Sequence, residues 1–419
     1  MTTESLAMPQ CRLPALPPGR HYRFHTMVKP AGALCNLDCP YCFYLHKTEL
    51  LGHQPNARMA DQLLEQHIRQ YIGSQTGDEV VFSWQGGEPT VMGLAFFRKV
   101  VELQTQYRKH GQRIENDLQT NGVLLDSAWV GFLKENGFNV GLSMDGPREL
   151  HDKYRPTKGG KPTFDHVMRA AHLLAEADVP FALLCVVNRD VARAPLEVWN
   201  ALRSVPGTYR IQFTPCVETA SFDKSAPGRL AAEYMPVLGS DRSRPEHPES
   251  VVTPWSVDAR DYGEFLCTVW QAWLADDFGR VHVNVFESAV AQALGQPAQM
   301  CTSAPICGKA MALEHDGCLY SCDHFVYPEY KLGNIHDTHQ GDLAFSPQQI
   351  AFGMAKRDSL PAYCLRCPQL QLCWGECPKN RLLQTPDGEP GLNYLCEGLK
   401  RFYARVQQDM PIIRQRLSG

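Results

Sequence analysis

The sequence predicts an α/β protein, built as a partial (β/α)6 barrel and followed by a cysteine-rich C-terminal domain. Short apolar strands alternate with helical stretches through the first half of the 419 residues, which is typical of parallel strands joined by helical crossovers. Polar or glycine-rich loops follow several of these strands, at the end where functional groups collect in such folds. In the last third of the chain, cysteine spacing is the main organising feature.

The alternation of strands and helices begins near residue 23 and gives six β/α units. We interpret these units as a partial barrel rather than an open Rossmann sheet, although periodicity alone does not separate the two. The predicted strands are 25–29, 79–84, 114–118, 138–144, 180–187 and 209–215, and the predicted helices are 60–73, 93–109, 126–136, 163–177 and 194–204.

The other segments complete the predicted domain organisation. Several prolines and no periodicity in residues 1–22 predict a flexible lead, and the Pro-, Ser- and Gly-rich residues 218–256 predict a surface insertion or linker. Residues 258–277 keep helical spacing, and their aromatic stripe is most simply core packing. The predicted divisions are the lead (1–22), the partial barrel (23–217), an insertion with a bridging helix (218–300), the cysteine-rich domain (301–396) and a C-terminal helix (397–419).

Composition and charge limit the classes of function. The chain is 44% hydrophobic and 21% charged with a net charge of −4, and no block of like charges supports a nucleic-acid or membrane partner. The N-terminus lacks the order of a signal peptide, and no apolar run is long enough to span a bilayer, which together predict a cytoplasmic protein. In a reducing cytosol, 16 cysteines indicate metal or iron–sulfur ligation rather than disulfides.

The loop after the first strand carries Cys35, Cys39 and Cys42, spaced x3 and x2, with the aromatic Tyr41 before the last cysteine. Three thiolates can hold three irons of a [4Fe-4S] cluster, which leaves the fourth iron open to a small molecule. The alternatives are a zinc knuckle or buried thiols, but no further Cys or His follows in a zinc-like spacing. The loop resembles the cluster motif of the radical S-adenosylmethionine (SAM) enzymes. That resemblance implies that the open iron binds SAM and that its reductive cleavage gives a 5′-deoxyadenosyl radical.

Two other strand ends carry candidate SAM-binding groups. Gly86-Gly87-Glu88-Pro89 lets the backbone approach a ligand closely, and Glu88 can accept a hydrogen bond from the methionine ammonium; a plain turn is the alternative. Placed one strand after the cysteine loop, this stretch matches the radical SAM element that holds the SAM amino group. Ser143 ends another strand, and Arg155 lies a short loop later. Both could bind ribose or carboxylate oxygens, although Arg155 is as readily an ordinary surface cation.

Eight cysteines of the last third follow a regular pattern that makes two sets of four, enough for two fully ligated clusters. The pattern resembles the SPASM extension of radical SAM enzymes that modify peptides and proteins, and zinc ribbons are the alternative. Cys318 lies off the pattern, while Cys185, Cys216 and Cys267 are interpreted as buried structural thiols. The spacings are Cys301-x5-Cys307-x9-Gly317-x4-Cys322 and Cys364-x2-Cys367-x5-Cys373-x3-Cys377-x18-Cys396.

From about residue 25 to 410 the chain is similar to the anaerobic sulfatase-maturating enzymes. These enzymes oxidise a Cys or Ser in a sulfatase to Cα-formylglycine without oxygen, at the motif Cys/Ser-x-Pro/Ala-x-Arg. The stretches that carry the resemblance are 35–44, 82–90, 118–122, 140–147, Ile211-Gln212-Phe213 and Ser321-Cys322-Asp323.

The resemblance implies a role for each matching residue. Asp323 is the catalytic base, and Tyr44 and Gln85 line the substrate pocket. The SAM contacts are Tyr41, Gly87, Ser143, Arg155 and Val217, the last being Leu in the family. Three [4Fe-4S] clusters are implied: a SAM cluster on Cys35, Cys39 and Cys42, a first auxiliary cluster on Cys301, Cys307, Cys322 and Cys377, and a second on Cys364, Cys367, Cys373 and Cys396. The implied partners are a sulfatase polypeptide and an electron donor such as flavodoxin or ferredoxin.

Several alternatives stay open at this point. Asp323 follows Cys322 directly, so it can take up a proton beside a redox centre, but an Asp capping a turn is the simpler interpretation of the residue alone. The same cluster set would serve a maturase that forms thioether or carbon–carbon cross-links in another peptide. A non-enzymatic zinc or electron-carrier protein is a further class. The sequence does not decide between a Cys and a Ser target.

Overall fold

The computed structural model describes residues 8–17 and 21–418. Its strands are β1 (His25–Lys29), β2 (Glu79–Trp84), β3 (Arg113–Thr120), β4 (Phe138–Ser143), β5 (Phe181–Val187), β6 (Arg210–Pro215), β7 (His282–Val283), β8 (Ala310–Glu314), β9 (Cys318–Tyr320), β10 (Lys331–Asn334), β11 (Leu383–Gln384) and β12 (Pro390–Leu392).

The helices lie between these strands and at the C-terminus. They are α1 (Lys47–Leu50), α2 (Asp61–Ser74), α3 (Gly93–Tyr107), α4 (Ser127–Glu135), α5 (Arg148–Tyr154), α6 (Phe164–Glu176), α7 (Arg189–Ala192), α8 (Pro195–Arg203), α9 (Ala259–Ala272), α10 (Asn284–Ala293), α11 (Gln340–Ala344), α12 (Pro347–Asp358), α13 (Ala362–Leu365), α14 (Leu370–Cys373) and α15 (Cys396–Ser418). Helix α9 continues as a π-helix over Trp273–Asp277.

One sheet of ten strands, in the order β10-β9-β8-β1-β2-β3-β4-β5-β6-β7, organises the molecule. Strands β1 to β7 pair in parallel, and helices connect them, which confirms the predicted α/β fold class. All six predicted strands are present within a few residues of their predicted bounds. The polar strand β3 is stabilised by a buried network, because Asn116 Oδ1 accepts hydrogen bonds from Trp84 at 2.9 Å and Gln104 at 2.8 Å.

The cysteine-rich region is joined to the barrel through the same sheet. Strand β8 pairs in parallel with β1, with Met27 opposite Ala312, and β9 and β10 add to it antiparallel. These strands are not predicted from the sequence, because they are short and lie far from β1 along the chain. The domain boundary near residue 300 stays a prediction, since the sheet crosses it.

Among the described helices longer than five residues, three were not predicted from the sequence. Helix α5 occupies the short loop expected before Arg155, and α10 and α12 lie in segments where no helix was predicted. The start of α12 carried a recognisable signal: Ser346 Oγ accepts a hydrogen bond from the Gln349 amide at 3.2 Å, and Pro347 occupies the first helical position. The predicted aromatic stripe of α9 is core packing, since Trp270 and Trp273 are fully buried.

The segment 218–256 holds three short 3-10 helices and packs on the C-terminal region. Tyr327 donates a hydrogen bond to the Phe222 carbonyl at 2.7 Å, and the Leu238 amide donates to the Gln384 carbonyl at 2.9 Å. This segment therefore packs against the Tyr327 loop and β11 rather than standing away from the fold.

The predicted flexible lead lies partly outside the described residues. Within its described part, the Arg12 backbone amide donates a hydrogen bond to the Asp342 carboxylate at 2.8 Å, and Cys11 is an exposed free thiol. No helix of the described residues is long and apolar enough to cross a membrane.

Candidate active site

The three-cysteine loop follows β1 and is held in place by main-chain and amide contacts. The Asp38 amide donates to the Pro156 carbonyl at 3.0 Å, and Asn121 donates to the Asn36 side chain at 2.7 Å. Burial raises the pKa of Cys35 to about 12, and the charge of Cys42 adds to it. Buried thiols packed together keep their protons unless a metal replaces them, so this donor set fits a cluster.

The structure brings the eight C-terminal cysteines together in two groups. Burial is the main cause that raises the pKa of Cys373 and of Cys396 to about 12, and neighbouring cysteines raise both further. The cysteines that act on one another in this way are Cys301, Cys307, Cys322 and Cys377 in one group, and Cys364, Cys367, Cys373 and Cys396 in the other. These are the two sets expected from the resemblance, and their role as ligands stays a prediction.

A pocket that opens to solvent is lined by all four cysteines of the second group. Lys400 also lines it, and its ammonium lies 4.1 Å from the centre of the Tyr363 ring. A space bounded by four thiols and a cation suits a negatively charged iron–sulfur cluster.

Gly87 fixes the second strand-end loop against the cysteine loop. Its amide donates to the Gly32 carbonyl at 2.8 Å, and the next amide, of Glu88, donates to the Leu34 carbonyl at 2.8 Å. A Cβ atom at Gly87 would overlap the Leu34 carbonyl oxygen. The glycine is therefore required for the packing of the two loops, whatever ligand it also contacts.

The Glu88 carboxylate is buried and joins its own loop to the end of β3. Its Oε1 accepts from the Thr90 hydroxyl at 2.6 Å and the Thr120 hydroxyl at 2.8 Å, and its Oε2 accepts from the Asn121 amide at 2.7 Å. A carboxylate has about four acceptor positions, so Oε2 keeps room for one further donor. The predicted contact from Glu88 to a SAM ammonium stays a prediction.

A buried ion pair lies behind the cysteine loop. Arg155 donates two hydrogen bonds to Asp145, at 2.9 and 3.1 Å, and the Tyr41 hydroxyl donates to the same carboxylate. Burial opposes the charge of Arg155, but the Asp145 carboxylate outweighs it and raises the pKa of Arg155 well above its usual value. Arg155 is thus no surface cation. Asp145, which the sequence analysis left without a role, fixes two predicted SAM contacts.

Ser143 ends β4 and Val217 follows β6, so both lie on the rim formed by the C-terminal ends of the parallel strands. The Ser143 hydroxyl accepts from Gln119 at 3.0 Å, and the Val217 carbonyl accepts from the Lys379 ammonium. Cys185, Cys216 and Cys267 are buried, as predicted.

Asp323 follows Cys322 after β9 and forms an ion pair with Lys29, the last residue of β1. Burial raises the pKa of Asp323, but the Lys29 ammonium outweighs burial and holds it below the usual range. The Phe43 ring, next to Cys42, meets the His324 ring edge-on with centres 5.2 Å apart. The cysteine loop and the Asp323 loop are therefore in direct contact.

Tyr44 lies close to Asp323 through their shared contact with Lys29, and Gln85 follows β2, the strand beside β1. The Tyr44 hydroxyl donates to Glu314, and the Lys29 ammonium lies 4.8 Å from the centre of the Tyr44 ring. The Gln85 amide donates to the Val28 carbonyl at 2.9 Å. Lys29 and Glu314 escaped the sequence analysis because nothing along the chain links them to Asp323 and Tyr44.

Comparisons with known proteins agree with this geometry. A family model described as the radical SAM superfamily matches residues 31–193, and one described as an iron-sulfur cluster-binding domain (SPASM) matches residues 301–368. A serine-type anaerobic sulfatase-maturating enzyme of Bacteroides thetaiotaomicron is 42% identical over 393 residues, covering 94% of this chain and 92% of that protein. The chain belongs to the anaerobic sulfatase-maturating enzymes.

Two further proteins are similar to this maturating enzyme over most of its length. A cysteine-type counterpart of Clostridium perfringens is 32% identical over 90% of this chain and 94% of its own length. The solved structure of native anSMEcpe with bound AdoMet and Cp18Cys peptide is 30% identical, with a TM-score of 0.78, over 94% of this chain and 99% of its own. The maturating enzyme is thus a radical SAM enzyme with iron–sulfur clusters, including auxiliary ones. The predicted family, fold and cofactors are confirmed.

Gly87→Ala should lower the rate of 5′-deoxyadenosine formation in the maturating enzyme by about 10²-fold, because the cysteine loop must shift to clear the new Cβ. The rate is measured by chromatography after anaerobic incubation with SAM and reductant. Gly131→Ala is the matched control, since a methyl group added at that helical position would meet no atom within 4 Å. An equal rate in both variants would contradict the packing role of Gly87.

Asp145→Asn should lower the apparent free energy of unfolding by about 3–5 kcal/mol, because it leaves the Arg155 guanidinium buried without an anion. A urea titration of the anaerobically purified maturating enzyme measures the change. The control is Asp165→Asn, which removes an exposed partner of Arg148 and should leave the stability almost unchanged. Similar losses in the two variants would show that the Arg155–Asp145 pair is no more important than a surface pair.

Proposed function

We propose that this chain oxidises a serine or cysteine of a sulfatase polypeptide to Cα-formylglycine. The observation that supports the proposal is the contact between the three-cysteine loop and the Asp323 loop. With a cluster and SAM bound, this contact would bring the hydrogen-abstracting centre close to a half-buried carboxylate. The full-length similarity to maturating enzymes of both types supports the reaction class.

When a cluster and SAM are bound, they supply a radical that removes one hydrogen atom from a substrate carbon. Cys35, Cys39 and Cys42 would hold that cluster, and the rim residues Tyr41, Gly87, Glu88, Ser143, Arg155 and Val217 would orient SAM. Arg155 and Tyr41 are themselves held by Asp145, so their positions are set before SAM arrives.

Asp323 would take the proton of the substrate thiol or hydroxyl, with Tyr44 and Gln85 lining the pocket. Loss of one hydrogen atom and one proton from the substrate leaves one electron to be passed on. The first auxiliary set, Cys301, Cys307, Cys322 and Cys377, lies beside Asp323 and would hold the acceptor of that electron. For a cysteine target, hydrolysis of the resulting thioaldehyde releases sulfide.

The target residue, the redox partner and the location complete the proposal. The higher identity to the serine-type relative, 42% against 32% for the cysteine-type one, favours a serine target. A small reduced protein such as flavodoxin or ferredoxin would supply the electron that initiates SAM cleavage. A cytoplasmic location would give the chain the reducing conditions that keep its cysteines available as cluster ligands.

The test is anaerobic incubation of the reconstituted protein with SAM, a reductant and two synthetic peptides, carrying Ser-x-Pro-x-Arg or Cys-x-Pro-x-Arg. Mass spectrometry should show loss of two hydrogen atoms from the Ser peptide, or exchange of hydrogen sulfide for oxygen in the Cys peptide. 5′-Deoxyadenosine should form in matching amount. 5′-Deoxyadenosine without either peptide change would reject the sulfatase substrate and favour a maturase of another peptide.

A further inference from the structure

A cluster of buried charged side chains, here named the charged chamber, lies beside Asp323, where α1, the end of β6 and the loops of the C-terminal region meet. We define it by Lys47, Glu218, Tyr327 and Lys379, together with Asp323. Lys47 and Glu218 are 1% and 5% exposed, so both charged groups are removed from solvent. Neither residue has a role in the reaction described above.

Lys47 brings a buried ammonium into this chamber without a hydrogen-bond acceptor. Its Nζ lies 3.2 Å from the centre of the Tyr327 ring, and no atom of the described residues accepts a hydrogen bond from it. Burial lowers the pKa of Lys47 to about 7, against the opposing pull of the Glu218, Asp323 and Glu314 carboxylates. Leaving such a donor unpaired is costly, so its retention here points to a partner that arrives with a ligand.

The neighbouring carboxylates are already engaged by other residues. Asp323 pairs with Lys29, and Glu314 accepts from the Tyr44 hydroxyl. Glu218 pairs with Lys379 through Oε1, at 2.7 Å. Among the described residues of the chamber, Lys47 is thus the cation that has no carboxylate paired with it.

Glu218 offers the complementary group. Its second oxygen, Oε2, is buried and receives no hydrogen bond from any part of the chain that the structure describes. Its side chain is held in position by Lys379, which also donates to the carbonyl of Val217, the residue before it. Asp323 Oδ1 also receives no hydrogen bond but is ion-paired with Lys29. Within residues 8–17 and 21–418, Lys47 Nζ and Glu218 Oε2 are therefore the donor and the acceptor of the chamber that have neither a hydrogen bond nor an ion pair of their own.

A peptide unit carries one acceptor and one donor, which is the combination that the chamber lacks. We propose that Lys47 and Glu218 bind the main chain of the polypeptide substrate next to the residue to be oxidised. Lys47 Nζ donates to a substrate carbonyl, and Glu218 Oε2 accepts from a substrate amide. The inference rests on the proposed function, because it places a peptide at Asp323. Main-chain contacts are the same for a serine and a cysteine target, so they fix the register of the peptide independently of which is oxidised.

The first test compares Lys47→Met and Glu218→Gln with the wild type in steady-state kinetics on the better of the two peptides. A charge-assisted hydrogen bond that is lost should raise the KM for the peptide by about 10- to 100-fold, with kcat little changed. Slow 5′-deoxyadenosine formation without peptide should stay the same in Lys47→Met. Glu218→Gln also removes the anion of Lys379, so its fold is checked by iron content and circular dichroism. Lys99→Met, at an exposed lysine of α3, is the matched control and should leave the KM unchanged. Methionine has a similar length and fills the same space, so Lys47→Met should keep the fold.

The second test identifies the substrate atoms. A series of peptides, each with one amide replaced by an ester, loses one N–H donor and weakens one carbonyl acceptor at a time. In the wild type, the ester at the bound position should raise the KM. In Lys47→Met the same ester should not raise the KM further, because the Lys47 ammonium that would bind this position is already absent. A purely structural role of Lys47 would not produce this dependence on peptide position.

The outcomes separate the inference from the function on which it rests. Formylglycine formation by the wild type, with the KM of both variants within about twofold of it, would overturn the main-chain contacts and leave the function standing. If the ester raises the KM by the same factor in the wild type and in Lys47→Met, the contact from Lys47 is overturned. If the wild type, with a full iron complement, modifies neither parent peptide, the proposed function fails and the inference fails with it.

Discussion

Asp323→Asn should slow formylglycine formation by about 10²- to 10⁴-fold, the range that a positioned proton acceptor contributes. The asparagine side chain keeps the shape of the aspartate but cannot take a proton from the substrate thiol or hydroxyl. Cleavage of SAM should continue, since the three-cysteine loop is untouched. Mass spectrometry of the peptide and chromatography of 5′-deoxyadenosine measure the two reactions in one sample.

The Asp323→Asn variant also leaves Lys29 without its carboxylate, so its folding must be checked by iron content and circular dichroism. Glu329→Gln is the control, because Glu329 lies a few residues further on and its nearest cation, Arg229, is 3.9 Å away. That change should affect neither reaction. If Asp323→Asn lowers 5′-deoxyadenosine and formylglycine in equal proportion, the assignment of Asp323 as the base is wrong.

Cys39→Ala should abolish 5′-deoxyadenosine formation and lower the iron content from about 12 to about 8 atoms per chain, as expected for the loss of one [4Fe-4S] cluster of three. Without that thiolate the SAM cluster has two protein ligands, and SAM has no anchored iron to bind. Cys396→Ala should lose a similar amount of iron from the second auxiliary set but keep 5′-deoxyadenosine formation without peptide. Iron and acid-labile sulfide assays give the cluster count.

Cys318→Ala is the matched control for both cysteine variants. Cys318 is buried like Cys39, but its Sγ contacts Asp316 at 3.1 Å and it lies outside all three sets. It should keep the full iron content and both reactions. Loss of one cluster's iron from Cys318→Ala would mean that the sets have been assigned incorrectly.

The sequence was sufficient to predict the features that depend on residues close together along the chain. The six strands of the barrel show as short apolar runs separated by helical periodicity, and the cysteine loop is a spacing pattern within eight residues. Glycines such as Gly87 are recognisable for the same reason, since the need for close backbone approach is a property of one position.

What the sequence could not show is pairing between distant residues. Lys29 and Asp323 are separated by most of the chain, and neither neighbourhood indicates the other. Arg155 looked equally like a surface cation because α5, which turns it inward to Asp145, is only seven residues long. The resemblance to a known family supplied the roles of these residues, and the structure supplies the partners that hold them.

The pairing of β8 with β1 has a consequence for how the enzyme can be taken apart. Strand β1 leads into the three-cysteine loop and β8 leads through β9 into Asp323, so the offset between the two loops is set by hydrogen-bond register within one sheet. A C-terminal region exchanged from a relative would preserve activity only if it restored Met27 opposite Ala312. Removing the C-terminal region would leave β1 as an unpaired edge strand, which can pair with another copy of the chain. The two halves are therefore not interchangeable modules for engineering, and a chimaera should take β1 and β8 from the same parent.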